Sequence, residues 1–113
     1  MRRIAVLGGA AGVLGVLALG QPAFAMDQAA TIKLFQFQPG NLEVKVGTTV
    51  TWTNGDDIEH SVTSGAPGKE SKVFDSGFFK KGGTYSFTFT TPGTYTYFCK
   101  RHNSMKATVT VIP

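Results

Sequence analysis

Gly83-Thr-Tyr-Ser-Phe-Thr-Phe-Thr-Thr-Pro-Gly-Thr-Tyr-Thr-Tyr-Phe98, with its continuation Lys106-Ala-Thr-Val-Thr-Val-Ile112, is the stretch that decides the fold. Tyr85, Phe87 and Phe89 fall on one side of an extended chain, and Thr84, Ser86, Thr88 and Thr90 on the other. Ala107, Val109 and Val111 alternate with Thr108, Thr110 and Ile112 in the same way. A period of two is the signature of a strand with one face in a core and one in water. Thr91-Pro92-Gly93 and Lys81-Gly82-Gly83 are turn signals that separate such runs.

Working outward, the rest of the chain from Thr31 shows the same short runs broken by Gly, Pro and Asn, and no helical stripe of useful length. Strands are predicted near 31–37, 42–46, 48–54, 60–64, 71–75, 83–90, 93–99 and 106–112. About eight strands at this spacing predict an all-β fold, an antiparallel sandwich or barrel. Trp52, between Thr51 and Thr53, is predicted to lie in its core, and the polar stretch Gly65 to Lys72 to form the longest exposed loop.

Residues 1–25 read as an export leader: Arg2 and Arg3, an apolar run from Ile4 to Leu19, and Ala23-Phe24-Ala25 as a small-x-small cleavage site. Cleavage after Ala25 leaves 88 residues, with 26–30 as a short lead-in and 31–113 as a single domain. The alternative, an uncleaved membrane anchor, is disfavoured because the apolar run is shorter than the roughly 20 residues a spanning helix needs; no stable membrane insertion is expected after cleavage. Without the leader, nine basic residues face seven acidic ones, a net charge of +2 that gives nucleic-acid binding no support.

A domain this small usually needs a staple, yet Cys99 is the only cysteine and forms no internal disulfide. In an exported protein a lone thiol is either buried and inert or held by something. Cys99 lies in Cys99-Lys-Arg-His102-Asn-Ser-Met105, and the only other histidine is His60, in Asp56-Asp-Ile-Glu-His60-Ser61. A thiolate, two imidazoles and a thioether form the donor set that suits copper in a trigonal His₂Cys site with a long axial Met. A thioether does not complete the usual zinc ligand sets. Cys99 with His102 as a nucleophile pair lacks the third, orienting group. Copper catalysis with a second metal centre needs more than two histidines, so the chain is read as not an enzyme.

Phe74-Asp-Ser-Gly77, Gly83-x-Tyr-x-Phe-x-Phe89 and Pro92-Gly-Thr-Tyr-x-Tyr-x-Cys99-x₂-His102-x₂-Met105, together with Phe37-x-Pro39 to Asn54, resemble the cupredoxins, the small type 1 blue copper proteins. The resemblance covers nearly all of residues 31–112, and the short spacing from Cys99 to Met105 is most similar to the amicyanin branch, with plastocyanin and pseudoazurin as relatives. It implies a Greek-key sandwich with one copper ion bound by His60, Cys99 and His102 and axially by Met105. It further implies a periplasmic, monomeric electron carrier that meets a dehydrogenase and a c-type cytochrome through the exposed edge of His102. A copper storage or delivery module is the alternative; with only Met26 and Met105 after the leader, exchangeable soft donors are few.

Three positions depart from the family pattern. Ser61 stands where Asn commonly ties the two ligand loops, which predicts a weaker tie; Arg101 and Asn103 stand where amicyanin-like loops carry prolines; Ala107 replaces a small Gly. Lys100 and Arg101 beside His102 predict an acidic docking surface on a redox partner.

Overall fold

Backbone pairing follows the alternation of the sequence. The computed structural model describes residues 26–113; the leader and its cleavage site, residues 1–25, lie outside the described residues. The strands are β1 (Asp27–Lys33), β2 (Gln36–Gln38), β3 (Asn41–Lys45), β4 (Thr49–Asn54), β5 (Thr63–Ala66), β6 (Lys69–Asp75), β7 (Thr84–Thr88), β8 (Gly93–Phe98) and β9 (Lys106–Ile112). They form a sandwich of a four-stranded sheet, ordered β2-β1-β4-β7, and a five-stranded sheet, ordered β3-β9-β8-β5-β6. Among the described residues no helix is long and apolar enough to cross a membrane.

The sheets are mixed rather than wholly antiparallel. β1 runs parallel to β4, and β3 parallel to β9. Parallel neighbours need a long connection, and the chain supplies it by repeatedly passing from one sheet to the other. Residues 27–30, read as part of a lead-in, are paired with Thr49 to Trp52 and belong to β1.

The inward faces supply a core that includes Ile32, Val50, Trp52, Val62, Phe89, Tyr97 and Val109, all buried. Trp52 is fully buried as predicted, and its indole Nε1 donates to the Tyr97 hydroxyl at 3.1 Å. Burial of that phenol pushes Tyr97 up to about 12. A buried polar tip must find a partner, so this bond also sets how β4 faces β8 across the sandwich.

Three predicted runs are altered, each for a local reason. The strand at 31–37 breaks into β1 and β2 because Leu34 and Phe35 take left-handed backbone, with φ of 53° and 58°. The strand at 60–64 starts only at Thr63, and His60 makes an isolated bridge to Phe79. The predicted loop 65–72 is a hairpin, with β5 and β6 meeting at Pro67-Gly68. A bulge there places Gly65 at φ +104°, where a Cβ would lie 2.4 Å from the Lys69 carbonyl oxygen, so glycine is required.

Candidate metal centre

At one end of the sandwich the chain leaves β4 at Asn54, a fully buried amide that shapes the following loop. Its Nδ2 donates to the carbonyls of Ile58 (3.0 Å) and Phe79 (2.9 Å), and its Oδ1 accepts the Asp56 N–H at 2.8 Å. Asp56 is thereby aimed inward. Its carboxylate accepts the N–H groups of Leu34 (2.8 Å) and Phe35 (2.9 Å) and stands 2.9 Å from His60 Nε2. Burial pushes the Asp56 carboxyl up, but the N–H groups of Phe35 and Leu34 and the His60 ring outweigh it, holding it below its ordinary range.

This contact settles the His60 tautomer. A carboxylate only accepts, so Nε2 carries the proton and Nδ1 presents a lone pair. That Nδ1 lies 3.8 Å from Cys99 Sγ, and His102 Nδ1 lies at the same 3.8 Å from the same sulfur. All three donor atoms fall within 4.8 Å of one another. Metal–sulfur and metal–nitrogen bonds of about 2.3 and 2.0 Å at trigonal angles place sulfur and nitrogen about 3.7 Å apart, so the observed spacing fits one ion bound by all three.

Met105, the fourth predicted donor, is fixed by its main chain to the same segment. It is buried, its N–H donates to the His102 carbonyl at 2.9 Å, and its carbonyl accepts the Cys99 N–H at 3.2 Å. The segment 99–105 is therefore closed on itself. Asn103 helps: its amide suits its neighbours with the nitrogen turned inward, donating to the carbonyls of Cys99 (3.3 Å) and Lys100 (3.2 Å). These bonds supply the constraint that prolines would otherwise give.

The Ser61 tie is made twice. Its N–H points at Cys99 Sγ at 3.4 Å, and its hydroxyl accepts the Lys100 N–H at 2.9 Å. His60 and Cys99 are fully buried, whereas His102 is partly exposed. Burial, then the His60 ring and the Arg101 guanidinium, push the His102 pKa down, against a weaker opposing pull from Asp56. A neutral imidazole is the form that binds a metal.

Sequence reasoning missed two residues here. Asp56 stands in the sequence only as a neighbour of His60, with no role assigned to it. Phe35 was read as part of a strand; its ring instead meets both histidines edge-on, at centroid distances of 5.1 Å to His60 and 4.8 Å to His102. The predicted positive patch is also changed. The Lys100 ammonium pairs with Asp75 and Glu70, and the Arg101 guanidinium sits 5.0 Å over the Phe78 ring.

The copper binding proteins of the plastocyanin/azurin family match residues 24–112. Amicyanin-alpha of Methylorubrum extorquens is 37% identical over 98 residues, covering 86% of this chain and 82% of that protein. Plastocyanin of Scenedesmus fuscus is 37% identical over 84 residues, covering 66% of this chain and 85% of its own. Among solved structures, a purple cupredoxin from Nitrosopumilus maritimus superposes with a TM-score of 0.69 at 34% identity, covering 75% of this chain and 99% of that one.

Proposed function

The chain belongs to the plastocyanin/azurin family of copper-binding proteins, and on that premise we propose that His60 and His102 through Nδ1, Cys99 through Sγ and Met105 through its thioether hold one type 1 copper ion. The observation that carries the reading is the pair of equal 3.8 Å separations between one buried sulfur and two imidazole nitrogens. Family members are electron-transfer proteins rather than enzymes, and the function proposed here is to accept one electron and pass it on. Bound copper supplies the one-electron change. The protein holds four donors in a nearly fixed frame, so little has to move between the two oxidation states.

Electrons are proposed to cross at His102, the one donor with surface access. The exposed apolar side chains of Leu34, Phe35, Ile58 and Phe78 come from the loops at this end and offer a partner an apolar contact. Because Lys100 is engaged by Asp75 and Glu70, Arg101 is left as the loop's main attraction for an acidic rim on the partner. The proposed setting is the periplasm, with the protein acting as a monomer between a dehydrogenase and a c-type cytochrome. Support comes from the leader-like first 25 residues and the similarity to amicyanin.

The test is the visible spectrum after addition of Cu(II), beside a Cys99→Ala variant, followed by repeated reduction and reoxidation. Intense blue absorption that the variant lacks, with copper retained through the cycles, is the expected result. A colourless protein with one equivalent of copper would contradict a type 1 site. Release of copper on reduction would move storage or delivery ahead.

A further inference from the structure

Behind the metal end, three side chains and both the main-chain N–H and the ammonium of Lys100 form a closed polar circuit whose direction is forced by valence. Thr63 Oγ1 lies 3.1 Å from Asp75 Oδ1 and 2.9 Å from Ser61 Oγ, and Ser61 Oγ lies 2.9 Å from the Lys100 N–H. The Lys100 ammonium returns to Asp75 Oδ2. A carboxylate only accepts, so the single Thr63 proton goes to Asp75. The Thr63 oxygen must then accept from Ser61. That uses the Ser61 proton and leaves its lone pair facing the Lys100 amide. Ser61 and Thr63 are 0% and 1% exposed, so water offers neither hydroxyl an alternative partner. Burial pushes the Asp75 carboxyl up, but the Lys100 ammonium, the Gly77 N–H and the Thr63 hydroxyl outweigh it and keep it an acceptor.

We propose that Asp75 is a positioning residue of the metal centre: acting through Thr63, it orients the Ser61 hydroxyl toward the Lys100 amide and so sets how firmly the segment bearing His60 is tied to the one bearing Cys99 and His102. The inference rests on the copper reading above. Remove the acceptor at the far end and both hydroxyls are free to reverse, bringing a Ser61 proton against the Lys100 N–H. Ser61 would then shift, and its own N–H would move relative to the Cys99 sulfur, 3.4 Å away. Hydrogen bonding at a cysteine sulfur tunes the reduction potential of a copper site. An N–H directed at the thiolate favours the more electron-rich, reduced state, so loosening it lowers the potential.

Two readouts test this. In the metal-free protein, Thr63→Val and Asp75→Ala are expected to speed exchange of the Lys100 amide proton by about tenfold, while Thr63→Ser restores protection to within about twofold of wild type. In the copper-loaded protein, Thr63→Val and Asp75→Ala are expected to lower the Cu(I):Cu(II) ratio at fixed poise about threefold, about 30 mV at 59 mV per tenfold, with Thr63→Ser unchanged. Glu70→Gln weakens the Lys100 ion pair without touching the relay and is expected to leave both readouts at wild type. Unchanged Lys100 exchange in both disruptive variants, or equal potentials for Thr63→Val and Thr63→Ser, would overturn the proposal. Should Thr63→Val not fold, Asp75→Ala at its half-exposed position decides the question. A wild-type protein that binds no copper would defeat the copper reading, while the exchange experiment would still judge the relay.

Discussion

His60 and His102 present the same nitrogen to the same sulfur at the same distance, yet they are held by opposite means. His60 is fully buried, and its outer nitrogen is fastened to Asp56, which also grips the backbone of a turn some twenty residues upstream. His102 sits on a short loop at the surface, with the Phe35 ring in a T-shaped contact with it. One imidazole is an anchor built into the sandwich, and the other is the proposed door for electrons. On that reading the rigid side of the site lies away from the proposed partner, which leaves the site electronically accessible.

The largest effect is expected from breaking the anchor. Asp56→Ala leaves the Leu34 and Phe35 N–H groups and the His60 ring without their acceptor. At about 1–3 kcal/mol for the buried His60 N–H and less for the two part-buried turn amides, urea unfolding of the metal-free protein should show a loss of about 3 kcal/mol. Copper affinity in a competition titration should fall about 10- to 100-fold, the usual cost of removing an outer-sphere partner. An affinity within about twofold of wild type would mean that the buried ring needs no fastening.

Acid should act on the same side. Asp56 and Asp75 both have folded-state pKa values below their ordinary value of 3.8. Their ionised forms therefore stabilise the folded state above that value, and the contribution is lost as pH falls through the folded-state values. Unfolding of the metal-free protein followed from pH 6 to pH 2 should show stability declining below about pH 4, and less steeply in Asp56→Asn. Equal slopes would remove Asp56 from the account.

The turn gripped by Asp56 gives a smaller effect of opposite sign. Leu34 is 72% exposed and holds φ at 53°, a conformation that costs a side-chain-bearing residue about 1–2 kcal/mol. Glycine adopts it freely but loses more chain entropy on folding, so Leu34→Gly should stabilise by about 0.5 kcal/mol, read as a raised midpoint of thermal unfolding. Destabilisation would mean that the Leu34 side chain has a contact that outweighs its strain. The smallest effect concerns Lys81 and Asp57, an ion pair in water at 3.0 Å with both side chains largely exposed. Lys81→Ala should change stability by less than about 0.5 kcal/mol.

The door was more legible than the anchor. Cys99, His102 and Met105 share one short stretch, and the soft donor set that they make with His60 has few chemical uses, so four positions could be named without knowing the turns between them. The alternation along β7, β8 and β9 is equally plain, because one buried face leaves its period in the sequence. Asp56 leaves no such mark. Its role depends on a loop shaped by Asn54 and on a turn at Leu34-Phe35 that contains neither Gly nor Asn. Read alone, Lys33-Leu34-Phe35-Gln36 continues a strand; the carboxylate that receives the two turn amides lies 22 and 21 residues away. Tertiary contact overrides local preference here. Lys69 and Glu70, which extend the predicted strand 71–75 back to the turn, were missed for a related reason: an exposed edge of polar residues looks like a loop until its partner strand is known.

The contrast between anchor and door is tested most directly by emptying each position in turn and offering the lost ring back. His60→Gly and His102→Gly, loaded with Cu(II), should both lose the blue absorption of the parent protein. Added imidazole should restore it in His102→Gly, where the gap opens to solvent, and fail to do so in His60→Gly, where the gap is sealed and Asp56 has lost its partner. Equal recovery in both variants, or recovery only in His60→Gly, would contradict the account.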